Sequence, residues 1–223
     1  MSKHNQPLII SYYTKGTLYE KEAECLKESC EKLGLEYEIS EVPNFGSWEK
    51  NCCHKAEFIL KKLAEHKRPV IWTDVDSVIL KTPELMLNCQ ADCALRVNDH
   101  VAPTDPSKIL SGTMFFNNTA STKKLLTLWQ KECERDLERD GTSYDQSCLR
   151  KVVLHYPTIV EMKRLPVSYV KIVDSKEDTM SDPESVIVHY QASRLLAKVV
   201  DGEVASSLVD SLSGAELKDI RTT

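Results

Sequence analysis

The apolar residues in the first third of the chain alternate between two spacings. Short runs of consecutive apolar residues predict buried strands at residues 7–14, 35–40 and 69–73. Between these runs, apolar residues recur every three or four positions over residues 18–33 and 52–63, which predicts two amphipathic helices. This strand, helix, strand, helix, strand order predicts a parallel sheet covered by helices. Ligands of such sheets bind beyond the carboxyl ends of the strands.

The rest of the chain continues as a mixture of strands and helices. Two helices are predicted, around residues 126–137 and 144–155, and the polar segment 98–108 is long enough to form a binding loop. Further strands are predicted at residues 91–97, 111–117, 158–162, 169–173 and 186–189. We therefore expect one α/β domain over residues 1–200. Residues 201–223 are expected to form a tail or a peripheral helix, with a weak helical pattern at 208–220.

Composition and charge narrow the classes of function. A chain of 223 residues with 41% hydrophobic residues can bury a large core without a structural metal. The net charge of -5 argues against a chain-wide surface for nucleic acid. Because no apolar run approaches the roughly 20 residues of a membrane span and no leader pattern is visible, we expect a cytoplasmic protein with no integral membrane segment. The 8 Cys include no Cys-x-x-Cys pair, which favours free thiols.

Asp74 and Asp76 follow the third predicted strand and are separated by one residue. Mg²⁺ and Mn²⁺ take oxygen ligands, and two carboxylates at a strand end can bind such an ion while it neutralises a substrate diphosphate. A solvated acidic turn is the alternative. The apolar residues on both sides favour the metal site, because they hold the charged turn between two buried segments.

Other candidate residues each have a functional and a structural interpretation. A bend at Ser111 and Gly112 would let the backbone approach a ligand closely. Asp145 and Gln146 open a predicted helix, where they could face a sugar ring, although a carboxylate there commonly interacts only with the helix dipole.

Three basic or metal-ligating residues complete the set of candidates. His189 ends a predicted strand, where it is either a metal ligand or a histidine satisfied within the fold. Arg194 follows His189 closely in the sequence, so its side chain could pair with a phosphate bound near the histidine. Lys55, at the edge of the second helix's apolar stripe, could reach the same site or remain a surface lysine. The adjacent Cys52, Cys53 and His54 point in different directions on a helix, so we expect no soft-metal site there.

The order of these motifs, from about residue 7 to about residue 197, resembles the GT-A glycosyltransferases of the nucleotide-diphospho-sugar transferase superfamily. The Asp-x-Asp at residues 74–76 is the most specific feature. The run Ser-Gly-Thr-Met-Phe-Phe-Asn at 111–117 looks like that superfamily's strand next to the sugar site. Asp145 with Gln146 resembles its Asp-Gln pair, and His189 resembles its late metal-binding histidine. A more distant similarity connects the chain with the glycogenin-like and galactosyltransferase family.

The resemblance implies a Rossmann-like mixed α/β sheet flanked by helices in a single GT-A domain. It also implies a UDP- or GDP-sugar donor and a Mn²⁺ or Mg²⁺ ion. The metal would be held by Asp76, His189 and Asp74, the last of which could instead meet the ribose. The other implied donor contacts are Lys55, Ser111, Gly112 and Arg194. The acceptor would be a glycan, a lipid-linked sugar or a protein.

The stereochemical outcome depends on Asp145. This residue could deprotonate the acceptor in an inverting reaction, or act with Gln146 to stabilise an oxocarbenium-like sugar in a retaining one. The Asp-Gln pair favours retention.

A second class of enzyme fits part of the sequence. Residues 74–78 also resemble the first motif of haloacid-dehalogenase-like phosphatases, which would make Asp74 a nucleophile and Asp76 a general acid/base. The remaining roles would fall to Ser111 or Thr113, Lys123, Asp174 and Asp178. That motif usually follows the first strand of the core, however, and here two strand-helix units precede it. A nucleotide-binding module without turnover is a third possibility.

Overall fold

The computed structural model of the chain describes residues 6–139, 141, 144–173, 175, 178 and 182–190. These residues belong to the compact unit Met1–Tyr190. The expected tail, the weak helical pattern at 208–220, Arg194 and Asp174 lie outside the described residues. The domain boundary near residue 200 therefore stays a prediction.

Helices and strands alternate over the first half of the unit. The helices are α1 Tyr19–Lys32, α2 Trp48–Cys53, α3 Lys55–His66, α4 Glu84–Leu87, α5 Ala120–Arg139 and α6 Asp145–His155. The strands are β1 Leu8–Thr14, β2 Tyr37–Val42, β3 Val70–Thr73, β4 Ser77–Ile79, β5 Cys93–Val97, β6 Ile109–Phe116, β7 Met162–Arg164, β8 Lys171–Ile172 and β9 Ile187–His189. Short 3-10 helices lie at Pro106–Lys108, Val167–Tyr169 and Asp182–Glu184.

The main sheet of the described residues has six strands in the order β2-β1-β3-β6-β5-β7. Strand β1 pairs in parallel with β2 and β3, as the sequence predicted, but β6 runs antiparallel to both β3 and β5. The sheet is therefore mixed, as the family resemblance implied, and the parallel arrangement indicated by the first third of the sequence holds for β1, β2 and β3. Because β6 is reversed, its first residues lie at the edge where β3 ends, with Thr113 opposite Thr73.

A second, three-stranded sheet in the order β4-β9-β8 extends from the same edge. The chain forms β4 directly after the acidic turn that follows β3. Strand β9 runs antiparallel to it, with His189 opposite Ser77. This pairing brings the late histidine to the acidic turn.

Side chains of the main sheet alternate between two hydrophobic cores. Ile10 and Trp72 pack with residues of α3, α5 and α6, whereas Ile9 and Ile71 on the opposite face pack with residues of α1 and α4. The alternation follows from the two-residue period of a strand. The result is a helix–sheet–helix sandwich that holds the strand ends in place.

Several predicted boundaries differ from the structure. The helix predicted over 52–63 begins earlier, at Trp48, because the Ser47 side chain caps that start by accepting a hydrogen bond from Lys50 N. It is also divided at His54 into α2 and α3. The strand predicted at 158–162 is largely a turn closed by a bond from Ile159 N to Tyr156 O, and β7 begins only at Met162. The strand predicted at 169–173 is reduced to the two residues of β8.

Two further sequence expectations concern cysteines and membranes. The eight cysteines all lie within the described residues, and none of them forms a disulfide bond. Among the described residues, no helix combines the length and apolar character that crossing a membrane requires.

Candidate metal and catalytic site

Asp74, Asp76 and His189 meet at the carboxyl end of β3. One carboxylate oxygen of each aspartate and one ring nitrogen of the histidine all lie within 4.8 Å of one another. Asp76 and His189 are buried, whereas 35% of the Asp74 side chain is exposed. The three residues therefore form a small polar cluster that opens to solvent on the Asp74 side.

Backbone hydrogen bonds fix the acidic turn to both sheets. Asp74 N donates to Gly112 O at 2.7 Å, which attaches the turn to β6. Tyr190 N donates to Asp76 O at 2.9 Å, which attaches it to the end of β9. The turn itself is closed by Ser77 N donating to Asp74 O at 3.1 Å. The carboxylates are thus held by backbone contacts from three strands.

His189 is held by a chain of hydroxyl groups. Its Nε2 lies 2.8 Å from Thr113 Oγ1, which is 3.1 Å from Thr73 Oγ1. Burial, reinforced by the positive charges of Lys55 and Arg96, lowers the pKa of His189 to about 3. The imidazole is therefore neutral near pH 7. The two carboxylates suit Mn²⁺ or Mg²⁺, and the neutral imidazole adds a nitrogen donor to the set.

Lys55 is buried and connects the acidic turn to α6. Its Nζ lies 2.8 Å from Asp74 Oδ1 and 2.7 Å from Asp145 Oδ2, and it also donates to Ser111 O at 3.3 Å. Burial by itself lowers the pKa of this amine, but the attraction of Asp145 and Asp74 outweighs it, and the net pKa is raised. The surface-lysine interpretation is therefore wrong, because only 5% of Lys55 is exposed.

Asp145 is the first residue of α6 and is buried. Its backbone oxygen accepts a hydrogen bond from Trp129 Nε1 at 2.8 Å, which fixes the helix start against α5. Trp129 itself is buried in the core. The helix-terminus interpretation of Asp145 is correct for its location, but its side chain also pairs with Lys55.

Gln146 connects the loop over residues 98–108 to the strand that begins the candidate sugar site. Its Oε1 accepts from Ser111 N at 3.2 Å and its Nε2 donates to Pro106 O at 3.2 Å. The amide therefore positions the loop against β6. That it also faces a sugar ring stays a prediction.

The structure contains a buried ion pair near this site that the sequence reasoning missed. Both carboxylate oxygens of Asp178 accept hydrogen bonds from Arg96, and Oδ2 also accepts from Ile172 N at 2.7 Å. The pair attaches the segment before β9 to β5. The sequence signal was Arg96 itself, because an arginine within a strand predicted to be buried requires an acidic partner.

The second cluster of potential metal ligands among the described residues consists of Glu38, Glu65 and His66. Lys62 already lies 2.5 Å from Glu38 Oε1 and 2.8 Å from Glu65 Oε2. Glu65 and His66 are also exposed, so this cluster is less enclosed than the one at the end of β3.

The clusters of potential metal ligands among the described residues do not include Cys52, Cys53 or His54. His54 pairs instead with Glu57, with Nδ1 3.1 Å from Oε2.

Comparisons with known proteins show the family to which the chain belongs. A family model described as nucleotide-diphospho-sugar transferase matches residues 40–198, which include the acidic turn, Lys55, Asp145 and His189. The chain belongs to the nucleotide-diphospho-sugar transferase family. No curated protein matches it.

Solved structures similar to this transferase are glycosyltransferases. One is a glycosyltransferase involved in the glycosylation of the major capsid of PBCV-1, with a TM-score of 0.62 and 16% identity, covering 83% of this chain and 94% of that one. Another is the glycosyltransferase GlyE of Streptococcus pneumoniae TIGR4, with a TM-score of 0.55 and 12% identity, covering 83% of this chain and 55% of that one. The expected GT-A type fold is confirmed.

The phosphatase alternative gains no support from the family match or from the site. Asp178, one of its expected magnesium carboxylates, is engaged by Arg96. Lys123, its expected charge clamp, is exposed on α5.

Proposed function

We propose that this transferase moves a sugar from a UDP- or GDP-sugar to an acceptor hydroxyl with the help of Mn²⁺ or Mg²⁺. The proposal is supported by one observation above all. Ligand atoms of Asp74, Asp76 and His189 lie within 4.8 Å of one another in a member of this family. These residues would hold the ion, which supplies positive charge for the leaving diphosphate.

Lys55 would add a fixed positive charge beside the diphosphate. Its ammonium is already ordered by Asp74 and Asp145, so little reorganisation is needed when a charged donor binds. We therefore assign Lys55 to donor binding and to positioning the two carboxylates. Arg194, a second donor contact expected from the sequence, stays a prediction.

Asp145 would act through its charge rather than as a base. Its Oδ2 is 2.7 Å from the Lys55 ammonium, and this ion pair holds the carboxylate beside the acidic turn. A fixed carboxylate can instead stabilise positive charge developing on the transferred sugar. This arrangement favours the retaining outcome.

Ser111 and Gly112 would support the donor site indirectly. The Ser111 carbonyl accepts from Lys55 and the Gly112 carbonyl accepts from Asp74. Their contribution to donor binding is therefore the placement of Lys55 and Asp74. The cytoplasmic location stays a prediction.

A thermal-shift screen tests the proposal. UDP, GDP and a set of UDP- and GDP-sugars are added with and without Mn²⁺. Selective binding at 100 times Kd should stabilise the folded state by about 2.7 kcal/mol. We expect a Mn²⁺-dependent increase in Tm with one nucleotide class, together with release of the nucleoside diphosphate from the matching sugar nucleotide. Absence of any shift would contradict the proposal, and binding without release would favour a module without turnover.

A further inference from the structure

Two partly exposed aromatic side chains lie beside Asp145. Trp48 is the first residue of α2 and Tyr144 directly precedes α6, and their ring centroids are 5.7 Å apart. We call this pair the aromatic shelf. Trp48 is 46% exposed, whereas the other two tryptophans of the chain are buried. The shelf therefore presents aromatic surface that the core does not use.

The shelf is held in a fixed orientation. The Trp48 indole lies near the Tyr19 phenol, where it opposes the rise in the pKa of Tyr19 that burial and the charge of Asp76 cause. The loop before it is ordered by Asn51, whose Oδ1 accepts from Phe45 N at 2.8 Å, and by Asn44, whose Oδ1 accepts from Gly46 N at 2.8 Å. A large aromatic side chain that is ordered yet exposed is typical of a ligand-contact surface.

The location of the shelf identifies which part of a substrate it can meet. Tyr144 is the neighbour of Asp145, which is connected through Lys55 to Asp74. If the metal ligands hold the diphosphate and Asp145 faces the transferred sugar, we assign the acceptor to the side of Asp145 on which Tyr144 and Trp48 lie. This step rests on the proposed function.

We propose that Trp48 and Tyr144 bind a sugar ring of a glycan acceptor. A pyranose has an apolar C–H face and a hydroxyl-bearing edge. An indole or phenol has a matching apolar face and one polar group, so such rings can stack and also form hydrogen bonds. The shelf therefore selects a saccharide over an acceptor without a sugar ring.

Titration with simple saccharides tests this assignment. The probe is a panel of methyl α- and β-glycosides of common hexoses and pentoses, added in the presence of Mn²⁺ and the nucleoside diphosphate that binds. At least one should change the tryptophan emission of the wild-type protein, and the change should be lost in Trp48→Ala. Calorimetry should show that the glycoside binds about tenfold more weakly to Trp48→Ala than to the wild-type protein, which is the upper end of the effect of one aromatic contact. Trp48→Phe keeps an aromatic ring and should bind the glycoside with near-normal affinity.

Matched variants separate this proposal from a general effect. Tyr144→Ala should also weaken binding of the glycoside. Tyr144 makes no side-chain capping bond, so this substitution should leave α6 intact. Tyr156→Ala removes another exposed aromatic, at the far end of α6, and should leave glycoside binding unchanged.

Two results would overturn the assignment. One is that no glycoside of the panel changes the emission. The other is that Trp48→Ala weakens binding of the nucleoside diphosphate itself, which would mean that the shelf stacks on the nucleotide base. Failure of the wild-type protein to bind any nucleotide would instead count against the proposed function.

Discussion

A methyl group added to Gly112 would stand 3.0 Å from Cε1 of His189 and within 3.4 Å of both ring nitrogens. His189 cannot move away freely, because it is buried and bonded to Thr113. The glycine in β6 is therefore the space into which the candidate metal ligand fits. The sequence suggested that this glycine lets a ligand approach, and the structure shows that it accommodates the histidine.

Replacement of this glycine should disturb the metal site. We expect Gly112→Ala to displace the imidazole, to weaken Mn²⁺ binding, and to reduce the free energy of unfolding by about 1–3 kcal/mol through overpacking. Calorimetric Mn²⁺ titration and urea unfolding measure the two effects. In a His189→Ala background the same substitution should cost much less stability, since its contact is gone. Equal costs in both backgrounds would show that the clash is not the cause.

Removal of one carboxylate charge should separate metal binding from folding. Asp76→Asn keeps the side chain's size, so we expect a folded protein whose nucleotide binding no longer depends on Mn²⁺. The measurement is Tm with nucleoside diphosphate, with and without Mn²⁺. Asp99→Asn is the control, because Asp99 forms an exposed pair with Arg164. Retained Mn²⁺ dependence in a folded Asp76→Asn protein would count strongly against the metal assignment.

Loss of the bridging ammonium should destabilise the fold. Lys55→Met leaves the buried carboxylate of Asp145 without its counter-ion, and we expect a loss of about 3 kcal/mol in the free energy of unfolding. Because the cost comes from the unpaired charge, Lys55→Met combined with Asp145→Asn should recover much of it. Urea unfolding of the single and double variants decides the point, and a double variant as unstable as Lys55→Met would refute the explanation.

The Arg96–Asp178 pair should contribute far more to stability than an exposed pair of the same type. Arg96→Met leaves a buried carboxylate unpaired, and we expect a loss of about 3–5 kcal/mol. Arg164→Met breaks a pair whose side chains are 53% and 66% exposed, and should cost less than about 1 kcal/mol. The comparison is made by urea unfolding. Similar small losses would mean that the segment before β9 does not depend on this pair.

The sequence by itself determined the local elements and the position of the acidic turn. The spacing of apolar residues located β1, α1, β3 and most of α3 within a few residues, because amphipathic periodicity depends only on neighbours along the chain. It also placed Asp74 and Asp76 at a strand end. Ordered motifs then led to the family, which the family match confirmed.

Tertiary structure alone decided how these elements meet. The reversal of β6 and the pairing of β4 with β9 bring Gly112 and His189 to the acidic turn, and no local pattern encodes either pairing. The burial of Lys55 likewise depends on Asp74 and Asp145, which come from two other elements. Strand direction and ion pairing are set by contacts between distant segments. The sequence could therefore name candidate site residues, whereas only the structure revealed which of them touch.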